Sequence, residues 1–308
     1  MKKLLVSFAV LAVLVFGFNL ASNEYRVEFR DWAIAMESEK AGLLHRTVTV
    51  NGQEMALLDN GVDAPVMLML HGFSGSKENW LRLAQQFGAQ YRVIAPDLLA
   101  HGENTRDLQG SYHIVDQVNY VHSLMEELKV PSFHLVGNSM GGAISSLYAA
   151  RHPEQVLSVT LISPAGVHDI PSKMDELLEQ GDNPLIPKTE EDFYQLLDFV
   201  MSEKPFIPAA IARAEAEIAV SRKEINQKIF ADIRSDLTLG LDKEFGNIRA
   251  PMLIIWGDQD NAINVANIDR YAELVANSEK AVIEGIGHVA MIEVPAYTAE
   301  LMRNFLNK

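Results

Sequence analysis

The stretch Phe133-His134-Leu135-Val136-Gly137-Asn138-Ser139-Met140-Gly141-Gly142-Ala143 joins a strand-like apolar run to a helix-like sequence through Gly-x-Ser-x-Gly. A serine in that setting stands on a sharp strand-to-helix turn, the nucleophile elbow. The flanking glycines have a steric reason, because a Cβ beside so tight a turn collides with neighbouring backbone. The serine projects from the edge of a sheet, and the helix N-terminus beneath it favours developing negative charge. Ser139 is therefore the candidate nucleophile.

Short apolar runs at 66–70, 92–95, 133–136, 156–162, 252–256 and 281–283 read as buried parallel strands. Helix-length segments at 77–87, 112–128, 141–151 and 265–275 lie between several of them. The alternation predicts an α/β fold with a mostly parallel central sheet and helices on both faces. Upstream, Asn51-Gly52 between 47–50 and 54–58 reads as a hairpin, since Asn-Gly suits a two-residue type I′ turn. From about 165 to 241 no strand-like run occurs, only helical patterns at 174–179, 190–201, 208–219 and 223–232. Such a helical insertion between two strands is expected to act as a lid over the carboxyl edge of the sheet.

A nucleophilic serine needs a base, and nine histidines are available. His288 lies in Glu284-Gly285-Ile286-Gly287-His288, a glycine-loosened loop after a late strand. His45, His113, His122 and His152 have no such setting. His71, directly after the 66–70 strand, fits the loop whose backbone N–H completes an oxyanion hole better than it fits a base. An acid must hold the tautomer of the base. Trp256-Gly257-Asp258-Gln259-Asp260 offers two, with Asp260 preferred and Asp258 its rival. The chain order Ser139, Asp260, His288 is that of the α/β-hydrolase triad.

On these residues the span from about 66 to 306 resembles the α/β-hydrolase superfamily, through His71-Gly72-Phe73, Asp97-Leu98-Leu99-Ala100-His101-Gly102, the elbow, Trp256-Gly257-Asp258-Gln259-Asp260 and Gly287-His288. With the apolar N-terminus, Ser163-Pro164-Ala165-Gly166 and Asn183-Pro184-Leu185-Ile186-Pro187 resemble the membrane-anchored monoacylglycerol lipases and the related bacterial family V lipases. The resemblance implies Ser139 as nucleophile, Asp260 as orienting acid and His288 as base. It also implies the backbone N–H groups of Phe73 and Met140 as the oxyanion hole. One departure is Ala100, where relatives usually carry glycine. The implied activity is that of a serine ester hydrolase, a lipase or esterase cleaving acylglycerols or other acyl esters through an acyl-enzyme. The alternative is a carbon–carbon bond hydrolase of ring-cleavage products, which Gly-Asn-Ser-Met-Gly-Gly also resembles.

Met1-Lys2-Lys3 precedes an uncharged run over 4–23 that is almost wholly apolar to Phe18. This pattern is that of a secretory signal or signal anchor. Asn19 stands where a cleavage site wants a small residue, which favours a retained anchor over a cleaved signal. The expected organisation is an anchor or signal peptide over 1–23, an amphipathic linker over 24–40 and a hydrolase domain over 41–308. In the linker, Tyr25, Phe29, Trp32, Ala33 and Met36 form one helical stripe, suited equally to a lipid headgroup layer or to packing on the domain. The positive-inside rule puts the catalytic domain outside the cytoplasm, secreted or periplasmic if the segment is cleaved.

The 308 residues carry 26 Lys+Arg against 41 Asp+Glu, a net charge of −15 that argues against a nucleic-acid partner. With no cysteine there is neither a disulfide nor a thiolate nucleophile. No metal site and no cofactor motif is recognised; His101 and Glu103 are neighbours in a turn and too few to make a metal centre. Oligomeric state leaves no mark in the sequence.

Overall fold

The computed structural model describes residues 24–308; the expected anchor over 1–23 lies outside the described residues. Among the described residues the first element is helix α1 (Arg26–Ala41), followed by the hairpin β1 (Leu44–Val50) and β2 (Gln53–Asp59). Asn51 and Gly52 turn that hairpin, both with positive φ (51° and 80°), as a type I′ turn requires. After β3 (Val66–Leu70) the chain makes a 3₁₀ turn, Lys77–Trp80, and a single helical turn, α2 (Leu81–Ala84). The 77–87 segment is thus more broken than its apolar pattern suggests. Then come β4 (Arg92–Pro96), α3 (Ile114–Glu127), β5 (Phe133–Asn138), α4 (Met140–Arg151) and β6 (Val156–Ile162).

Four α-helices, α5 (Lys173–Glu179), α6 (Glu190–Val200), α7 (Ala209–Ser221) and α8 (Lys223–Thr238), and a 3₁₀ helix (Leu241–Asn247) separate β6 from β7 (Met252–Gly257). Ser172 and Thr189 start the first two with capping boxes, each accepting from the backbone N–H three residues on, Asp175 (3.3 Å) and Asp192 (3.1 Å). The chain ends with α9 (Asn267–Leu274), β8 (Ser278–Ile283), the short α10 (Ala290–Glu293) and α11 (Pro295–Leu306).

The eight strands form one sheet in the order β1-β2-β4-β3-β5-β6-β7-β8. β1, β2 and β4 pair antiparallel, and every pair from β4 to β8 is parallel. The central strands are buried on both faces, which is why their sequences read as continuous apolar runs. Leu68 and Leu70 of β3 face a core shared with Ile144 and Leu147 of α4, while Met67 and Met69 face the opposite core with Ala299 and Met302 of α11. β7 divides likewise, Ile254 and Trp256 to the first core and Leu253 and Ile255 to the second.

Strand order reverses at β3, whose neighbours are β4 on one side and β5 on the other. Loops leaving β3 and β5 therefore diverge, and open α/β sheets form their crevice at such a point, beyond the carboxyl ends of the strands. Both His71 and Ser139 follow directly after these two strands.

Helix α1 lies against α7, held by Arg26 to Glu217 (2.7 Å) and Arg30 to Glu215 (2.6 Å). Ile34 packs on the second core, whereas Tyr25 (57%) and Trp32 (58%) are exposed. Of the stripe, Met36 is exposed as well (37%) and Phe29 stacks on Trp32, so the helix meets the core through Ile34, which lies outside the stripe. Among the described residues no helix is long and apolar enough to cross a membrane.

Candidate active site

Ser139 has φ 54° and ψ −119°, a backbone conformation that a residue with a side chain rarely adopts. Its surroundings hold it there. The Ser139 N–H donates to Ile162 O (3.2 Å), and its carbonyl accepts from Gly142 (2.9 Å), Ala143 (3.1 Å) and Ala165 (2.9 Å). A Cβ on Gly137 would collide with the Gly141 carbonyl and the Ser145 hydroxyl. One on Gly141 would collide with the carbonyls of Leu70 and His71. The two glycines let α4 start hard against the ends of β3 and β5.

Of the two candidate acids, Asp260 meets His288. Its Oδ2 lies 2.7 Å from His288 Nδ1 and accepts Trp256 Nε1–H at 3.0 Å. Oδ1 accepts the backbone N–H groups of Ala262 (2.8 Å) and Ile263 (3.0 Å). Four donors converge on a carboxylate whose side chain is fully buried. Asp258 instead accepts the Gly285 N–H (2.7 Å), tying the turn after β7 to the turn after β8. His288 is itself buried, and its backbone N–H donates to Val200 O (2.8 Å) at the end of α6.

Ser139 and His288 line one cavity of about 430 Å³, together with Phe73, Leu197 and Arg222. On its other side Ser139 lines a second cavity of about 240 Å³, walled by Leu178, Leu185, Phe230, Ile233 and Ile263. Phe73 and Met140 also border the smaller cavity. Among the described residues, neither backbone N–H is taken by a hydrogen-bond acceptor. Ser139 thus stands between an apolar chamber and a larger, mixed one.

His71 is wholly buried in the loop after β3. Nδ1 lies 2.8 Å from Gly72 O, and Nε2 accepts the Leu98 N–H at 3.0 Å, so the ring is the neutral Nδ1–H tautomer. His122 and His152 stack on each other 4.1 Å apart and line neither cavity.

Two residues of the site carry no sequence signal of their own. Asn138 occupies a free position of the elbow motif, yet its Nδ2 bridges Ile162 O (3.0 Å) and His288 O (3.1 Å), linking the serine turn to the histidine loop. Lys77 is fully buried beside the loop that carries Phe73. A lone lysine in a sequence reads as surface.

A family model described as the alpha/beta hydrolase fold matches residues 65–295. Over 302 residues the chain is 32% identical to Lipase 1 of Psychrobacter immobilis, covering 96% of this chain and 95% of that one. It is 33% identical to monoacylglycerol lipase ABHD6 of Mus musculus, over 79% of this chain and 75% of that one. Among solved structures, a membrane phospholipase A described as a bacterial virulence factor superposes with a TM-score of 0.90 at 37% identity, covering 100% of this chain and 98% of the other.

The buried histidines beside the site predict acid sensitivity. Burial lowers His71 to about 4 and His101 to about 3. Their unfolded-state values lie near 6.5, so below that pH the unfolded chain takes up protons that the native state refuses. Stability should fall as pH drops from about 6.5 towards about 4, by about 1.4 kcal/mol per pH unit for each histidine. Urea unfolding at about pH 7 and about pH 5 measures the slope, and an unfolding free energy unchanged between them would contradict neutral burial.

Proposed function

Since the chain belongs to the alpha/beta hydrolase fold family and is a carboxylic ester hydrolase, we propose that it cleaves acylglycerols and related acyl esters with Ser139 as nucleophile, His288 as base and Asp260 as orienting acid. The observation that carries this reading is the 2.7 Å contact of His288 Nδ1 with the buried Asp260 carboxylate, on a histidine that shares a cavity wall with Ser139.

Ser139 Oγ attacks the ester carbonyl as its proton passes to His288 Nε2. Asp260 accepts the Nδ1–H and stabilises the imidazolium that forms. The N–H groups of Phe73 and Met140 hold the oxyanion of the tetrahedral intermediate. His288 then protonates the departing alkoxide, leaving an acyl group on Ser139. Water, deprotonated by His288, releases that group as a carboxylic acid. The smaller, apolar cavity takes the acyl chain and the larger one the alcohol part. Helices α5 to α8 form the lid over both, within a hydrolase domain spanning 41–308.

Ser139→Ala should abolish ester hydrolysis with the fold intact. Asp260→Asn should lower kcat by about 10⁴ if it behaves as in the protease triad. Asp258→Asn, which touches only the Gly285 turn, should cost little. Steady-state kinetics on a soluble ester check all three, and an inactive Asp258→Asn beside an active Asp260→Asn would reverse the acid assignment.

Each methylene buried in the apolar cavity contributes about 0.8 kcal/mol. Lengthening the acyl chain by two carbons should therefore raise kcat/KM roughly tenfold until the cavity is full. A flat profile, or faster cleavage of a vinylogous diketone than of any ester, would favour the carbon–carbon hydrolase.

The proposed anchor over 1–23 leads into α1, where Tyr25 and Trp32 face outward as interfacial aromatic side chains do. The catalytic domain is proposed to lie at the membrane, outside the cytoplasm. Full-length protein should stay with membranes through carbonate washing, and removal of 1–23 should release it. Recovery of a soluble chain starting near Ser22 would identify a cleaved signal instead.

A further inference from the structure

The triad chemistry makes no use of Lys77, whose side chain is only 1% exposed. Its ammonium lies 2.9 Å from Asp97 Oδ2, 2.9 Å from Glu78 Oε1 and 2.7 Å from Glu103 Oε1. An ammonium has three N–H bonds, and here each has a carboxylate to meet. Withdrawing a lysine from water is costly, so the arrangement calls for a reason beyond filling space.

That reason lies in the loop from Phe73 to Ser76. One two-residue segment just after β4 pins both of its ends. At the near end, the Leu98 N–H donates to His71 Nε2 (3.0 Å). At the far end, Asp97 receives the Lys77 backbone N–H on Oδ1 (2.8 Å) and the ammonium on Oδ2. The Glu103 N–H donates to the same Oδ2 (2.9 Å), and Asn104 Nδ2 to the Asp97 carbonyl (2.6 Å), so Asp97 is itself immobilised. Between the pins the backbone is tight: the Gly75 N–H closes on Gly72 O (3.1 Å) and Ser74 holds φ 60°. Asn226 of α8 adds one side contact to the Ser74 hydroxyl (3.1 Å). Phe73 lies between the two pins, at His71 and Lys77, and its N–H direction depends on where they are held.

We infer that Lys77 is a positioning residue, whose clamp onto Asp97, Glu78 and Glu103 fixes the direction of the Phe73 N–H and so acts on the oxyanion without touching substrate. The inference rests on Phe73 belonging to the oxyanion hole, as proposed above. A donor displaced by part of an ångström still leaves room for substrate to bind, yet loses transition-state stabilisation.

The test is the paired variant Lys77→Met/Asp97→Asn, which removes the charges of the central pair with side chains of similar size and leaves Glu78 and Glu103 without the ammonium. It is expected to stay folded with a lowered melting temperature, because Glu78 loses its cation, and with kcat reduced roughly ten- to a hundredfold and KM for a short soluble ester within about twofold. Affinity for an alkyl boronic acid, whose tetrahedral adduct needs the same N–H groups, should fall with kcat/KM. A merely structural lysine predicts the same lowered melting temperature with turnover unchanged. A folded double variant with kcat within about twofold of the parent, or one that changes KM alone, overturns the inference. If the double variant does not fold, Asp97→Asn decides by the same readings, because Glu78 and Glu103 still neutralise Lys77. Ser139→Ala run alongside separates the two levels: residual hydrolysis there defeats the nucleophile reading, whereas an inactive Ser139→Ala beside unimpaired clamp variants defeats only the clamp.

Discussion

A single strained turn organises this molecule. Ser139 holds a left-handed φ of 54° between β5 and α4, a conformation worth about 1–3 kcal/mol of strain that survives only where its surroundings over-determine it. Three N–H groups converge on its carbonyl, and its own N–H is fixed to β6. Because Gly141 has no side chain, α4 can begin against the carbonyls of Leu70 and His71. The serine turn and the loop after β3 therefore set each other's positions. Relaxing the turn would move the serine and the Phe73 loop together.

Buried carboxylates are the second organising element, in a chain whose net charge is −15. A carboxylate inside a protein must find donors, and each one here finds them on several segments at once. Asp59, at the end of β2, takes Arg92 of β4 on both oxygens (3.0 and 2.7 Å) along with Arg46 of β1 and the Gly61 N–H (2.8 Å). Asp97 joins the exit of β4 to the loop after β3. Asp260 joins the exit of β7 to His288. Two of these three sit beyond the carboxyl ends of strands, so the need to satisfy charge is also what fixes the loops of the site.

The inserted helices are tied into the same network rather than resting loosely above it. Val200 at the end of α6 accepts the His288 N–H (2.8 Å). Glu293 accepts N–H groups from Ser202 (2.8 Å) and Glu203 (2.9 Å) on one side and from Gly287 (3.1 Å) on the other. Any movement of α6 is thereby coupled to the loop that carries the histidine. Helix α8 has two duties: Ile225, Ile229 and Ile233 join the first core, while Phe230, Ile233 and Leu237 wall the smaller cavity.

Local sequence decided what local physics can decide. Apolar runs buried on both faces marked the parallel strands, Asn51-Gly52 marked the hairpin, and glycine spacing around Ser139 marked the elbow, because each depends on backbone sterics within a few residues. The 77–87 segment is helix-length in sequence but opens as a 3₁₀ turn, where Lys77 is bonded to Asp97, a partner 20 positions away. Tertiary structure alone decided which aspartate meets His288, since Asp258 and Asp260 differ only in which loop lies over them. Asn138 and Lys77 likewise drew their roles from carbonyls and carboxylates brought in by other strands. A side chain's partners across the sheet follow from strand order, and strand order is a property of the assembled fold, not of any window of sequence.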